Sequence, residues 1–211
     1  MFRSLGDLMG ASMIATDGGI GRICNFLFDD ELWKIRYCVV DVGHWLARRE
    51  VLISMSAIDQ PDWKTKTLRA RLTKEQLRNG PDVDSKKPVS RQQEIAMREY
   101  FGWPAYWDTV VDKVFPPNLI PAGREFPVHT AEDNHLRSWE DVIGYEVWAS
   151  DGVVGCLESF VVDDAVWHIG YLDVKTGEGL ESRSVLVPTS WVKSISWADH
   201  HVNLQGSRER I

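Results

Sequence analysis

The sequence predicts a mainly β protein with two small antiparallel β-barrels in pseudo-twofold tandem and short helices between them. Three observations lead to this fold class. A segment that begins at Ser4 recurs without a gap 134 residues later, at Ser138. Turn dipeptides separate short apolar runs within both copies, and the residues between the copies have a helix-forming composition instead. A gap-free internal repeat predicts two copies of one structural unit.

The repeat matches residues 4–37 with residues 138–171, and scattered matches at the same offset continue to Trp63 and Trp197. Glycine, aspartate and aromatic residues dominate the matches, which include Gly10/Gly144, Asp17/Asp151, Gly18/Gly152, Gly21/Gly155, Asp29/Asp163, Asp30/Asp164, Trp33/Trp167 and Tyr37/Tyr171. Chance does not produce such a run in one register. We therefore expect residues 4–72 and 138–206 to superimpose, with Trp33 and Trp167 at equivalent positions.

The turns and strands of each copy follow from local patterns. Asp-Gly between two apolar runs, as at Asp17-Gly18, is the signature of a tight β-hairpin. Gly21 and Gly155 fall inside the next strand, where glycine permits a bulge or a sharp bend. The Asp29-Asp30 and Asp163-Asp164 pairs are expected in solvated turns, since aspartate favours turns. Later strands are expected at Glu50–Met55 and Thr65–Leu72 in the first copy, and at Ser184–Pro188 and His200–Leu204 in the second.

The chain divides into four parts by composition. The predicted domains are a first barrel (1–73), a helical and aromatic extension (74–114), a proline-rich linker (115–135) and a second barrel (136–211). Thr73–Gln76 and Ser90–Gln93 are capping-box patterns, so each predicts the start of a helix. The second helix is expected to run to about Phe101 and to end at Gly102, because glycine commonly terminates helices.

Bulk properties narrow the class of protein. The net charge of −7 argues against a general nucleic-acid binder. The three cysteines are odd in number and lack CxxC spacing, so neither a disulfide framework nor a zinc site is predicted. The start of the chain lacks the apolar run of a signal peptide, and no stretch approaches the roughly 20 apolar residues of a membrane-spanning helix. We expect a soluble, cytoplasmic protein.

No pattern in the sequence predicts catalysis. Nucleophile-elbow, Walker, HExxH and Cys/His motifs are all missing from the sequence. Neighbouring residues on a strand point to opposite faces, so neither the Asp-Asp pairs nor His200-His201 beside Asp199 should converge on one metal ion. The interpretation is a non-enzymatic protein without a metal or another cofactor.

Two groups of residues are candidates for binding. The first is the aromatic cluster Tyr100, Trp103, Tyr106 and Trp107, which either packs over the first barrel or anchors a partner. The second is the basic strand with Lys64, Lys66, Arg69 and Arg71. Alternation places the two lysines on one face and the two arginines on the other. That arrangement favours an edge strand protected by charge over a phosphate-binding patch.

The opening Gly-Asp-Leu-Met-Gly, the Asp-Gly turn and the glycine ahead of the Asp-Asp turn together resemble the PRC-barrel family. The resemblance covers residues 4–72 and 138–206. The segment Pro88–Trp107 also looks like the extension that follows the first barrel in stand-alone bacterial members. The family includes the cytoplasmic part of the photosynthetic reaction-centre H subunit and the C-terminal half of a ribosome-maturation factor. It implies PRC-type barrels that dock protein partners, with no shared catalytic residues.

The resulting hypothesis is a non-enzymatic docking or assembly module with an unidentified protein partner and the capacity to self-associate. Two alternatives stay open: an RNA- or ribosome-associated binding protein, and an accessory protein of a photosynthetic or membrane electron-transfer complex. Charge also bears on the arrangement of the barrels. Residues 1–73 carry 10 basic and 9 acidic side chains, whereas residues 136–211 carry 6 and 12. This imbalance favours two halves that face each other.

Overall fold

The computed structural model describes residues 1–43, 50–81, 89–105, 136–177 and 182–211, and within them the chain is mainly β. The predicted linker (115–135) lies outside the described residues. The first repeat contains strands β1 (Phe2–Ser4), β2 (Ser12–Ala15), β3 (Gly18–Asp29), β4 (Lys34–Asp41), β5 (Glu50–Ser54) and β6 (Thr67–Arg69). The second contains β7 (Leu136–Ser138), β8 (Glu146–Ala149), β9 (Gly152–Asp163), β10 (His168–Thr176), β11 (Arg183–Pro188), β12 (Val192–Ser196) and β13 (His201–Leu204).

The α-helices are α1 (Lys74–Asn79), α2 (Arg91–Phe101) and α3 (Trp139–Val142). Single 3₁₀ turns occur at Leu5–Leu8, Met55–Ala57, Thr189–Trp191 and Arg208–Arg210. Both predicted capping boxes are present, each with the hydroxyl and the glutamine side chain satisfying backbone N–H groups reciprocally. Helix α2 ends at Gly102, which adopts a left-handed conformation. The predicted helix boundaries are therefore confirmed.

The two repeats fold alike, except that β12 has no counterpart strand in the first repeat. The β2–β3 hairpin and the β8–β9 hairpin shift register at the same place, after Met13 and after Val147. Trp33 and Trp167 directly precede β4 and β10, and each has a positive φ (52° and 58°). The predicted equivalence of these two tryptophans is correct, although both lie in the turn rather than within the strand.

The strands form one mixed sheet of 13 strands within the described residues, and this sheet does not close into a barrel. The predicted mainly β class is confirmed, whereas the predicted two small antiparallel barrels are not, because the sheet is mixed and open. Strand β6 pairs parallel with β2, and β13 pairs parallel with β8. Each of these strands returns to its hairpin through a crossover connection, which brings it back in the same direction as its partner.

The repeats join through reciprocal strand exchange. Strand β1 pairs with β9 of the second repeat, and its counterpart β7 pairs with β3 of the first repeat. Between these two exchanges, β4 meets β10 at the pair Lys34 and His168. Because Lys34 and His168 are themselves equivalent in the repeat, this pair lies at the pseudo-twofold centre of the molecule.

The hydrophobic core is continuous across this junction. Phe28 of the first repeat stacks on Trp33, with ring centroids 6.1 Å apart, and meets Phe160 of the second repeat edge-to-face at 5.0 Å. All three side chains are buried. Aromatic pairs of this kind add to the stability that apolar burial provides. The two repeats therefore share one core.

Candidate functional site

Helix α2 and the residues after it form the aromatic extension, and α2 lies against the first repeat. Glu94, Met97 and Phe101 are spaced at i, i+3 and i+7, so they share one face of the helix. Met97 and Phe101 line a small cavity together with Leu52 of β5, and Glu94 is buried. The opposite side of the helix exposes Ile95 and Tyr100. Helix α2 is thus an amphipathic helix docked on the outer face of β4 and β5.

A buried polar contact fixes this docked helix. The Tyr37 hydroxyl of β4 donates to Glu94 Oε1 at 3.0 Å, and Arg91 Nη1 lies 2.8 Å from Glu94 Oε2. Glu94 is only 2% exposed, so its carboxylate depends on these partners for the solvation that it has lost. The hydrogen bond from the Tyr37 hydroxyl to the buried Glu94 carboxylate therefore fixes the position of α2 along β4.

The structure divides the predicted aromatic cluster. Trp103 is buried, stacks on Phe101 with ring centroids 4.4 Å apart and lies near Tyr37. Tyr100 is exposed and contacts Phe101 edge-to-face at 4.8 Å. Tyr106 and Trp107 lie outside the described residues. Trp103 therefore belongs to the packing of the extension on the first repeat, and Tyr100 is the member of the described pair that faces solvent.

The predicted basic strand is shorter and more dispersed than the sequence indicates. Lys64 and Lys66 lie in the turn before β6, and Lys66 has a positive φ of 49°. Arg69 is in β6, an outer strand at one end of the sheet path, and Arg71 pairs with Asp59 across 2.5 Å. All four cations are exposed, and they are divided between this turn, β6 and the residues that follow β6. Their positions match the edge-strand interpretation better than a phosphate site.

The interpretation of the Asp-Asp pairs as solvated turns is wrong for one carboxylate of each pair. Asp29 is buried, receives two backbone N–H groups of its turn, and pairs with the buried Arg36 at 3.1 Å. In the second repeat the buried carboxylate is Asp164, which accepts the Trp63 indole N–H at 2.9 Å. The burial of Asp29 is compensated within its own repeat, whereas that of Asp164 is compensated by Trp63 of the other repeat. Local sequence gives no signal of such a long-range partner.

The thiols of the first repeat are poor nucleophiles. Burial, with a smaller contribution from the nearby carboxylates of Glu50 and Asp41, raises the pKa of Cys24 to about 11. Burial also raises the pKa of Cys38, which is completely buried. Thiolate is the reactive form, so both groups are unreactive at neutral pH. Within the described ranges, no three His, Cys, Asp or Glu side chains group closely enough to hold a metal ion.

Exposed apolar side chains concentrate on the second repeat. Among the described residues, the large apolar side chains that face solvent are Met1, Phe2, Trp148, Val153, Val166 and Leu186, together with Ile95 and Tyr100 of α2. Met1 and Phe2 count with the second repeat because β1 pairs with β9. Residues 5–43 and 50–81 of the first repeat contribute no such side chain among those described. At Leu186 the difference depends on α2, which covers the counterpart Leu52, whereas Trp148 and Val153 stand where the first repeat has Ile14 and Gly19.

Comparison of the chain with protein-family models yields no match. A search of curated proteins also finds no match. None of the helices in the described ranges is both long enough and apolar enough to cross a membrane.

Proposed function

We propose that this chain is a non-enzymatic protein-docking module made of two PRC-type repeats, of which the second repeat binds a protein partner. The observation that carries the proposal is the unequal distribution of exposed apolar side chains. Trp148, Val153 and Leu186 face solvent on the second repeat, whereas Leu52, the counterpart of Leu186, lies beneath α2. Exposed apolar surface on a folded protein commonly marks a site of protein interaction.

The first repeat then has a supporting role in this proposal. Its reciprocal strand exchange with the second repeat gives the docking surface a rigid base, because both repeats share one core. The PRC-barrel resemblance of residues 4–72 and 138–206 favours the same function, since members of that family dock protein partners. The RNA-binding alternative receives less support, because the basic side chains are dispersed and the net charge is −7.

The test is quantitative affinity purification with the full-length chain as bait, carried out in parallel with Leu186→Glu and Trp148→Glu. Both variants place a charge on the proposed surface, and each replaces an exposed side chain rather than a buried one. We expect at least one protein to be recovered by the wild-type chain and lost with one of these variants. Val166→Glu is the matched control, since Val166 is equally exposed but lies in a turn. Identical recovery by all four baits, or recovery of RNA instead of protein, would contradict the proposal.

A further inference from the structure

The two repeats present the same outer sheet face, but among the described residues a helix covers only one of them. In the first repeat this face belongs to β4 and β5, and Leu52 at its centre is 5% exposed beneath α1 and α2. In the second repeat it belongs to β10 and β11, and the equivalent Leu186 is 51% exposed. The repeat therefore contains an occupied copy and an open copy of one docking surface.

A neighbour of Leu186 is also more exposed than its counterpart in the first repeat. Phe2 is 50% exposed, whereas its counterpart Leu136 is 6% exposed. The Phe2 ring meets Tyr171 edge-to-face at 5.4 Å, and Tyr171 is the counterpart of the buried Tyr37. We call Phe2, Tyr171, Asp173 and Leu186 the open face. Its apolar members are adjacent through strand pairing, since Leu186 lies opposite Asp173 and Asp173 is two residues from Tyr171.

The occupied copy shows which kind of element this surface accepts. Helix α2 binds with Glu94, Met97 and Phe101 at i, i+3 and i+7, the spacing by which amphipathic helices enter apolar grooves. Its Glu94 accepts a hydrogen bond from Tyr37, and Tyr171 keeps this hydroxyl in the open copy. Among the described residues, the Tyr171 hydroxyl has no hydrogen-bond acceptor, so the donor is available.

We propose that the open face binds an amphipathic helix of a partner protein, which presents a carboxylate to Tyr171 and apolar side chains to Leu186 and Phe2. This inference rests on the proposed docking function and names the site and the chemistry of its partner. The helix packs on β10 and β11 as α2 packs on β4 and β5.

Two substitutions between the copies determine which helix fits. Val39, which is buried in the first repeat, is replaced by Asp173, and the Ser184 hydroxyl donates to that carboxylate. Asp41 at the edge of the same face is replaced by Lys175. A helix that covers Asp173 with apolar atoms would leave a carboxylate poorly solvated, which is unfavourable. The partner helix therefore carries a hydrogen-bond donor that faces Asp173. Helix α2 of a second copy does not complement this carboxylate, so it would fit the open face only in a variant that lacks Asp173.

The experiment uses a fluorescently labelled peptide with the sequence of residues 89–105 as the probe and the full-length chain as the receptor. Fluorescence anisotropy measures binding to the wild-type chain and to Asp173→Val, which restores the residue type of the occupied copy. We expect Asp173→Val to bind the peptide at least about tenfold more tightly than wild type. Adding Leu186→Glu to Asp173→Val should abolish this gain, whereas adding the matched control Val166→Glu should preserve it.

Three outcomes would overturn the inference. The first is equal peptide binding by the wild-type chain and Asp173→Val, and the second is binding that Leu186→Glu leaves unchanged, which would indicate displacement of α2 from the first repeat. The third is concentration-dependent dimerisation of the wild-type chain that Leu186→Glu abolishes, because a second copy would then occupy the open face. Circular dichroism of each variant establishes that it is folded. If the peptide fails while affinity purification still recovers a partner sensitive to Trp148→Glu, the docking function stands and only this site is wrong.

Discussion

At the scale of single residues, two glycines show most directly how the sequence determines the fold. A Cβ at Gly21 would lie 1.9 Å from the Asp41 carbonyl oxygen, and a Cβ at Gly155 would lie 2.0 Å from that of Lys175. These are backbone atoms, so no side-chain rotation relieves the overlap. The close approach is between β3 and β4 in the first repeat and between β9 and β10 in the second, next to the pairs Arg22/Asp41 and Cys156/Lys175. Only glycine fits at either position.

We therefore expect Gly21→Ala and Gly155→Ala each to lower the free energy of unfolding by about 2–3 kcal/mol, because the neighbouring strand must move. Chemical denaturation measures the change. Gly19→Ala is the matched control, since a Cβ at Gly19 meets no atom within 4 Å. The control should stay within about 0.5 kcal/mol of wild type. Gly21→Ala with the same stability as Gly19→Ala would show that the close approach is not required.

Single residues also show where sequence-based prediction reaches its limit. The roles of Gly21 and Gly155 were predictable, because a glycine inside an apolar strand pattern has few explanations. The burial of Asp164 was not predictable, because its carboxylate depends on a partner from elsewhere in the chain. That partner, Trp63, is 101 residues from Asp164. Local turn preference correctly identified the turn at Asp164 and missed the burial of its side chain.

At the scale of elements, helix boundaries were predictable and the strand network was not. Capping boxes and a terminating glycine are local signals, so the limits of α2 follow from a few neighbouring residues. The face that α2 covers, and the absence of a described counterpart on β10 and β11, depend on tertiary packing. Likewise the parallel pairing of β6 with β2 results from a crossover that strand-forming patterns do not encode. The open face was for this reason missed, although the Tyr37/Tyr171 match was visible in the sequence.

The junction of β4 and β10 leads to a prediction of pH dependence. Burial lowers the pKa of His168 from its ordinary 6.5, Lys34 lowers it further, and Asp163 opposes the shift. The unfolded chain then binds a proton more readily than the folded one, so the contribution of neutral His168 is complete above about pH 6.5 and is lost as the pH falls below it.

We expect the free energy of unfolding to fall between about pH 7.5 and 5.5, and to fall less in His168→Gln. Urea denaturation at a series of pH values measures both slopes. Lys34→Gln should reduce the slope by a smaller amount, because burial is the larger cause of the shift. Parallel pH profiles for wild type and His168→Gln would exclude this junction as the source.

At the scale of the whole molecule, the reciprocal exchange of β1 and β7 makes the two repeats one cooperative unit. Each repeat supplies a strand to the other, and Phe28, Trp33 and Phe160 join the two cores. The Arg137 side chain of the second repeat also pairs with Asp30 of the first at 3.0 Å. The contact between the two halves that the charge imbalance favours is therefore present. It consists of strand pairing and aromatic packing as well as ion pairs.

This arrangement predicts that the halves recognise each other when separated. Fragments 1–114 and 128–211, mixed in equal amounts, should elute as a single complex in gel filtration and release heat in calorimetry. A first fragment that begins at residue 5 lacks β1, so it should associate more weakly. Two fragments that stay separate, with no heat of mixing, would show that the shared core does not hold the repeats together.

The exchanged strands also impose an order on biosynthesis. Strand β7 emerges after its partner β3, so it pairs as soon as it is made. Strand β1 is synthesised long before β9, because its register joins Phe2 to Asp163. Throughout that interval the nascent first repeat exists without this pairing, and the β1 segment is open to chaperones or to a neighbouring nascent chain. The pairing of β1 therefore waits until β9 has been translated, and maturation of the N-terminal half depends on that part of the C-terminal half.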